Sequence, residues 1–309
     1  MSINPELFLA GAQDIFSQDF LFSEKAKALA AKLSGLLTRI ETDRPDVILS
    51  WLQSNPQVRR YRPPTPLGRQ HLLSDGFIIP VEDFGFSVEV PLNELNDDQV
   101  GGWNKQVANG ANVAMIFPLK LLAAQIVANV TTWDGSALFA NSHTFGTGDN
   151  LLAQTGTTVV DVQTDVRLAL SALASFVDPN SEPLNLDIEG AIVEYGRGMK
   201  GTMEVALDAE TWLSVSTNPT KIFRLAEPMY NPYLGGNGFI VHAAGGAVAP
   251  FIDVVRLEMT TFENRIHETP DEGNYTVFGA KGRRAIAAGH WFRSVIVGSV
   301  TGPTIVSES

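Results

Sequence analysis

Four of the fifteen residues from Ser54 to Gly68 are proline, in the run SNPQVRRYRPPTPLG. Each proline removes a backbone donor and biases the residue before it away from helix. The stretch is therefore neither helix nor central strand, and it is too polar to build a core. It has to lie along some other surface. The segments around it fit an arm spanning residues 1–70. Phe8, Phe16 and Phe20 stand among small and polar residues. Ser23–Ile40 reads as a helix capped by Ser23, with Leu29, Leu33, Leu36 and Leu37 as its apolar positions. Pro45–Gln53 reads as a shorter helix with proline in its first turn.

Charge divides at the same place. Residues 1–70 carry 9 Lys+Arg against 7 Asp+Glu, and residues 71–309 carry 13 against 27. Arg59, Arg60, Arg62 and Arg69 fall close together, and His71–Val100 then holds seven acids without a Lys or Arg. These patches are complementary in sign, which points to a contact between subunits. The overall charge of −12 argues against a free-standing nucleic-acid binder. With 309 residues, 44% hydrophobic, the chain is long enough for one large or two modest cores. Cysteine is absent, which excludes disulfide scaffolds, thiolate metal sites and Cys nucleophiles and fits a reducing compartment. The N-terminus lacks a signal peptide's basic start and cleavage site. The longest uncharged run, Pro228–Ile252, is too rich in Gly, Pro and Asn for a membrane span. A soluble intracellular protein without a membrane partner is expected.

Beyond the arm, residues 77–92 read as a β-hairpin turning at Glu82–Gly85, with Phe84, Phe86, Val88 and Val90 in period-two alternation. Such a hairpin is marginal alone and needs another surface. Asp97–Val130 reads as a long helix, started by Asp97 or Asp98 and broken or kinked at Pro118. Trp133–Gln154 is a Gly-, Asn- and Thr-rich loop. Val162–Val177 is an amphipathic helix through Val166, Leu170 and Leu173. AIVEY is a strand, a helix lies near Met203–Val215, Asn231–Pro250 is irregular, and VVRLEMTTF and HWFRSVIVGS are strands. The class is α+β, without internal repeats.

Chemistry is sparse. Gly196–Gly201 matches G-x-G-x-x-G, in which glycines let a backbone approach pyrophosphate at a helix N-terminus. No acid follows at the required distance and no strand–helix series surrounds it, so a strand-to-helix turn is the better account. Asp134, His143 and Asp149 share one loop and could ligate a metal, but their spacing fits a loop fixed by its own hydrogen bonds better. His242, His267 and His290 are scattered and read as structural. No nucleophile, base and orienter come together, so no catalytic residue, metal or cofactor is expected.

Several segments together resemble the major head protein of Mu-like tailed phages. They are LFLAGAQDIFSQDF, SWLQSNPQVRRYRP, VEVPLNELNDDQVGGW, a proline-broken helix and WDGSALFANSHTFGTGDNLL. The matching positions are Trp51, Leu52, Pro56, Arg59, Asp97, Asp98, Gly102, Trp103, Asp134, Gly135, Leu138, Phe139 and His143. The resemblance covers roughly residues 5–155. It implies the Hong Kong 97-type capsid fold: an N-arm (1–70), an E-loop hairpin (71–98), a P domain with a long spine helix (99–185), an A domain (186–250) and a return to the P domain (251–309). It further implies a virion subunit that assembles in the host bacterial cytoplasm, as pentamers and hexamers of an icosahedral shell around double-stranded DNA. Portal, scaffold and possible decoration proteins would be its partners. The expected subunit interface is Arg59, Arg60, Arg62 and Arg69 against Glu82, Asp83, Glu89, Asp97 and Asp98, with Phe77, Ile79, Phe84 and Phe86 buried on a neighbour. The alternatives are an encapsulin-like compartment and a dinucleotide-binding enzyme using Gly196–Gly201. Some relatives of the fold link subunits through a hairpin lysine; here no Lys lies between Lys32 and Lys105, so no such link is expected.

Overall fold

A computed structural model of the chain describes residues 5–18, 24–50, 76–91, 102–185, 190–208, 211–212, 220–221, 226–245, 248–269 and 273–303. Five α-helices appear among them: α1 (Pro5–Ser17), α2 (Glu24–Ser34), α3 (Gly102–Ala128), α4 (Val159–Ser175) and α5 (Lys200–Asp208). The strands are β1 (Leu37–Glu41), β2 (Asp46–Ser50), β3 (Gly76–Pro80), β4 (Glu82–Pro91), β5 (Leu151–Leu152), β6 (Gly190–Tyr195), β7 (Thr211–Trp212), β8 (Thr220–Lys221), β9 (Glu227–Tyr230), β10 (Gly235–Gly236), β11 (Phe239–Ala244), β12 (Phe251–Thr269), β13 (Gly273–Ala288), β14 (Ser294–Val297) and β15 (Val300–Thr301).

Two sheets organise the chain. One is four-stranded, in the order β1-β12-β13-β4, and is built on the long antiparallel β12–β13 pair. The other is five-stranded, in the order β5-β14-β11-β6-β9. The main core joins helices to both sheets. Leu119, Leu122 and Ile126 of α3 and Val162, Val166 and Leu173 of α4 pack with Val193, Phe239, Val241, Phe251 and Val295. A second, smaller cluster lies where α1 meets the start of α3: Ala12 and Phe16 bury against Val107, Ala111, Ala114, Phe278 and Ala280.

The amphipathic α4 forms where its periodicity expects, and its start has a physical cause. Thr158 accepts from the Asp161 N–H, and the Asp161 carboxylate reaches back to the Thr158 N–H, a reciprocal capping box. The long helix α3 runs through Pro118 as one element instead of breaking there. Phe117 packs at a tilt against Phe84 on one side of the proline, and Leu119, Leu121 and Leu122 are buried on the other. Tertiary packing thus outweighs the lost helical hydrogen bond, worth about 1 kcal/mol net. Asn129, at φ +44°, then ends the helix in the left-handed region. Lys105–Ala128 is long and apolar enough to cross a membrane, but half of that window is buried in the chain's own core.

Five expectations are corrected. The helix expected over Ser23–Ile40 is α2, which ends at Ser34, and Leu37–Glu41 is a strand parallel to β12, because Thr38 to Glu41 find ladder partners at Ile252 to Val255. Residues 46–50 are strand, not helix, since Val47 and Leu49 need the core face that pairing with β3 provides. Residues 76–91 do not fold as a hairpin: only Val81 separates β3 from β4, β3 pairs with β2, and β4 pairs with β13 from Glu82↔Arg284 to Pro91↔Tyr275. The stretch from Asn231 to Pro250 contains β11, a central strand of the five-stranded sheet whose residues Phe239 to Ala243 are all buried. The later helix also starts earlier than read, at Lys200, and gives way to strand by Thr211.

Candidate assembly surfaces and buried polar sites

The interface candidates fall into three groups. Arg59, Arg60, Arg62, Arg69, Asp97 and Asp98 lie outside the described residues. Phe77, Ile79, Phe84 and Phe86 face this chain's own core. Ile79 is 2% exposed, and with Phe77, Val47 and Leu49 it covers Ile252, Val254 and Ala287. Phe84 sits 4.8 Å from Phe117, ring centre to ring centre, and Phe86 sits 6.3 Å from Phe16. Gly110 lets α3 come this close, because a Cβ there would stand 2.9 Å from the Phe86 ring. These side chains are thus largely committed within the subunit. The alternation of β4 itself holds: Asp83, Gly85, Ser87 and Glu89 are exposed between the half-buried aromatics. Asp83 pairs with Arg283 of the same chain, while Glu82 and Glu89 face solvent.

Sequence patterning missed the outer face of β2–β3. Ile48 and Ile78 are directly opposite one another across the two strands, and they are 63% and 59% exposed. Strand period would have found this pair had the β2 pairing been known.

The loop that carries Asp134, His143 and Asp149 is a hydrogen-bonded plug, not a metal centre. His143 Nδ1 lies 3.2 Å from Asp134 Oδ2, and Nε2 lies 3.1 Å from Asn150 Oδ1. Asn150 Nδ2 donates to the Leu138, Trp291 and Ser294 carbonyls, which fixes its oxygen toward His143. Both ring nitrogens are therefore engaged by side chains of the loop itself, and neither is free for a metal. Burial opposes ionisation of Asp134, but bonds from His143, Thr132 and the Ser136 N–H outweigh it and hold its carboxyl at about 2. Asp149 instead caps the Leu151 N–H. Among the described residues no group of three or more His, Asp or Glu is arranged to hold a metal ion.

Gly196 and Gly198 serve the chain's own backbone. A Cβ on Gly196 would stand 2.3 Å from the Leu234 carbonyl oxygen, and one on Gly198 would stand 2.2 Å from that of Gly236. The space a pyrophosphate would need is filled by residues 234–237. The strand-to-helix turn therefore accounts for these glycines.

One constellation was invisible in the sequence. Ser294 Oγ lies 2.8 Å from His242 Nδ1, and His242 Nε2 lies 3.1 Å from Glu194 Oε2. The three sit side by side on β14, β11 and β6. This corrects the expectation that no nucleophile, base and orienter meet. All three are fully buried, however, and Asn231 Nδ2 ties Glu194 to the Leu119 carbonyl of α3. The set is a core network that no substrate reaches. His290 is part-buried beside Phe292, and burial together with the Arg293 charge pushes its imidazole down to about 4. The side chain of His267 lies outside the described residues.

Among solved structures, the fold is similar to the mature capsid of bacteriophage PhiM1, with a TM-score of 0.55 at 10% identity over 85% of each chain. It is similar to the virus-like particle from Pyrococcus furiosus, with a TM-score of 0.56 at 13% identity over 94% of this chain and 99% of that one. It is also similar to the capsid of cyanophage P-SCSP1u, with a TM-score of 0.55 at 10% identity over 86% and 87%. No curated protein sequence matches the chain. The fold is the α+β Hong Kong 97-type capsid fold. The model of the Mu-like prophage major head subunit gpT matches residues 13–171, more than half of the sequence, and the chain belongs to that family of structural capsid proteins.

Proposed function

We propose that the chain assembles as pentamers and hexamers into an icosahedral shell that encloses packaged double-stranded DNA. The observation that carries this reading is the gpT family match laid over a two-sheet capsid fold. An acidic subunit suits a DNA container, because a wall carrying net negative charge does not hold the packaged polymer. Portal, scaffold and decoration proteins are proposed partners, assembly is placed in the host bacterial cytoplasm, and the chain performs no catalysis. The pairing of β2 with β3 supports moving the proposed E-loop from residues 71–98 to residues 46–80, with β2–β3 as its stem. In that arrangement the four arginines from Arg59 to Arg69 belong to the loop, and the acidic surface they meet is a neighbour's. The four-stranded sheet with α3 then forms the P domain. The five-stranded sheet with α4 and α5 forms the A domain, which also takes in β14.

Sedimentation and negative-stain microscopy test the reading on particles from cells that make the chain with its companion head proteins. Hollow megadalton particles containing DNA are expected. Particles loaded with an enzyme and free of DNA would favour the encapsulin-like compartment, and a chain that stays a small oligomer in those cells would overturn the shell reading.

A further inference from the structure

Helix α3 carries no acid. Asp and Glu are absent from Gln99 to Trp133, in a chain that holds 34 of them. One side of α3 is buried: Val107, Ala111 and Ala114 pack with α1 and β13, and Leu122 and Ile126 enter the main core. On the other side Lys105, Gln106, Asn109 and Asn112 are exposed and Lys120 is half-buried. At 3.6 residues per turn, Lys105, Asn109, Asn112 and Lys120 fall on one stripe about 22 Å long. The half-buried Ile116 interrupts the stripe and Val113 flanks it. Neither lysine pairs with a carboxylate among the described residues.

We propose that this stripe is where the subunit touches the phosphate backbone of packaged double-stranded DNA. The inference rests on the shell reading above and adds which surface meets the DNA. Lysine ammonium and asparagine amide groups are donors that phosphate oxygens accept. Such contacts carry no sequence information, which suits a wall against which many sequences lie. Asn112 gives one amide hydrogen to the Ala108 carbonyl and keeps the other for a ligand. The opposite side of the four-stranded sheet fits DNA less well. Strand alternation places Asp83 and Glu89 there beside Lys281, because Phe84, Phe86 and Val88 take the side that α1 and α3 cover. Two ammonium groups per subunit leave the chain acidic at −12. Salt screens them beyond about 10 Å, so they act on the duplex layer against the wall while the net charge repels the rest.

Lysine acetylation tests the contact on the unaltered chain. DNA-filled particles made with the companion head proteins are treated with N-hydroxysuccinimidyl acetate before and after their DNA is released, and mass spectrometry reads each lysine. Lys105 and Lys120 should react roughly fivefold or more slowly in the filled particles, because an ammonium held on phosphate presents no free amine. Lys281, on the other side of the sheet, should react equally in both. Equal rates at Lys105 and Lys120 in filled and emptied particles overturn the contact and leave the shell reading intact: fast in both means that no DNA reaches the stripe, and slow in both means that a neighbouring subunit covers it. Protection of Lys281 in place of Lys105 and Lys120 overturns it too, and puts the DNA against the opposite side. Wild-type chains that form no DNA-containing particles overturn the shell reading, and the contact falls with it.

Discussion

His143 lies flat on Trp291, with ring centres 3.7 Å apart and planes within 1° of parallel. The stack fastens the loop after α3 to the short turn that leads from β13 into β14. Asn150 completes the joint, because one amide group bonds carbonyls at Leu138, Trp291 and Ser294. The Asp-Gly-x-x-Leu-Phe-x-x-x-His motif of residues 134–143 therefore has a structural job: it builds this plug.

Replacing His143 by Ala should destabilise the subunit by about 2–4 kcal/mol. The change opens a void on the Trp291 face and strips the buried Asp134 carboxylate of one of its three bonding partners. Urea unfolding of the soluble subunit measures the cost. A loss under about 0.5 kcal/mol, the level of an ordinary surface change, would mean that the plug does not fasten the loop to the β13–β14 turn.

Acid should weaken the subunit in two separate steps. The folded chain holds His290 at about 4 against an ordinary 6.5, so between those values the unfolded chain takes up a proton that the folded one refuses. This contribution is complete above pH 6.5 and is lost as pH falls toward 4, with a full size of about 3 kcal/mol. Asp134 acts lower: its folded carboxyl sits at about 2 against 3.8, so its contribution is complete above 3.8 and drains away as pH falls toward 2. In His290→Gln the first step should flatten while the second remains. Urea midpoints followed from about pH 7.5 down to pH 3 would show this; identical profiles for the two proteins would assign the first step to another group.

The glycines of the Gly196–Gly201 string should separate by position. Gly196→Ala and Gly198→Ala push a methyl into backbone carbonyls and should each cost more than about 2 kcal/mol. Gly201 lies in α5 with open space where a Cβ would go. Gly201→Ala should be neutral or gain up to about 1 kcal/mol from helix propensity. Thermal melts of the three variants decide the matter. Equal losses at all three positions would overturn the account in which Gly196 and Gly198, and not Gly201, are required by close backbone contact.

What the sequence made legible, and what it hid, follows from the range of the forces involved. Helix α4 was readable because its signals are local: Val162, Val166 and Leu173 repeat at helical spacing. Strand β2 is not, since Pro45 mimics a helix start and the partners that make Val47 and Leu49 a strand, Ile79 and Phe77, stand far along the sequence, out of reach of any local pattern. The alternation of Phe84, Phe86 and Val88 is plain, but their cover, α3 and α1, is not encoded nearby, so the pattern alone points as readily to a neighbouring subunit as to this one. Glu194, His242 and Ser294 stand 48 and 52 residues apart. The available hint was a single polar residue inside each of two apolar runs, AIVEY and FIVHAA, and only strand register shows that these residues share one face.

Boiled and reduced particles should run as a single band near 33 kDa. An isopeptide link through a lysine of the segment between α2 and α3 needs a side-chain amine there, and no Lys occurs between Lys32 and Lys105. The arginines of that segment cannot substitute, since the guanidinium stays protonated and is a poor nucleophile. The shell must then hold by non-covalent contacts, so denaturant should release intact single chains, and the release midpoint should rise with subunit concentration. Denaturing gels across a dilution series measure both. A ladder would show that a lysine elsewhere does the linking, and the exposed Lys281, which stands 5.7 Å from the Phe262 ring on the four-stranded sheet, would be the first to replace with Arg.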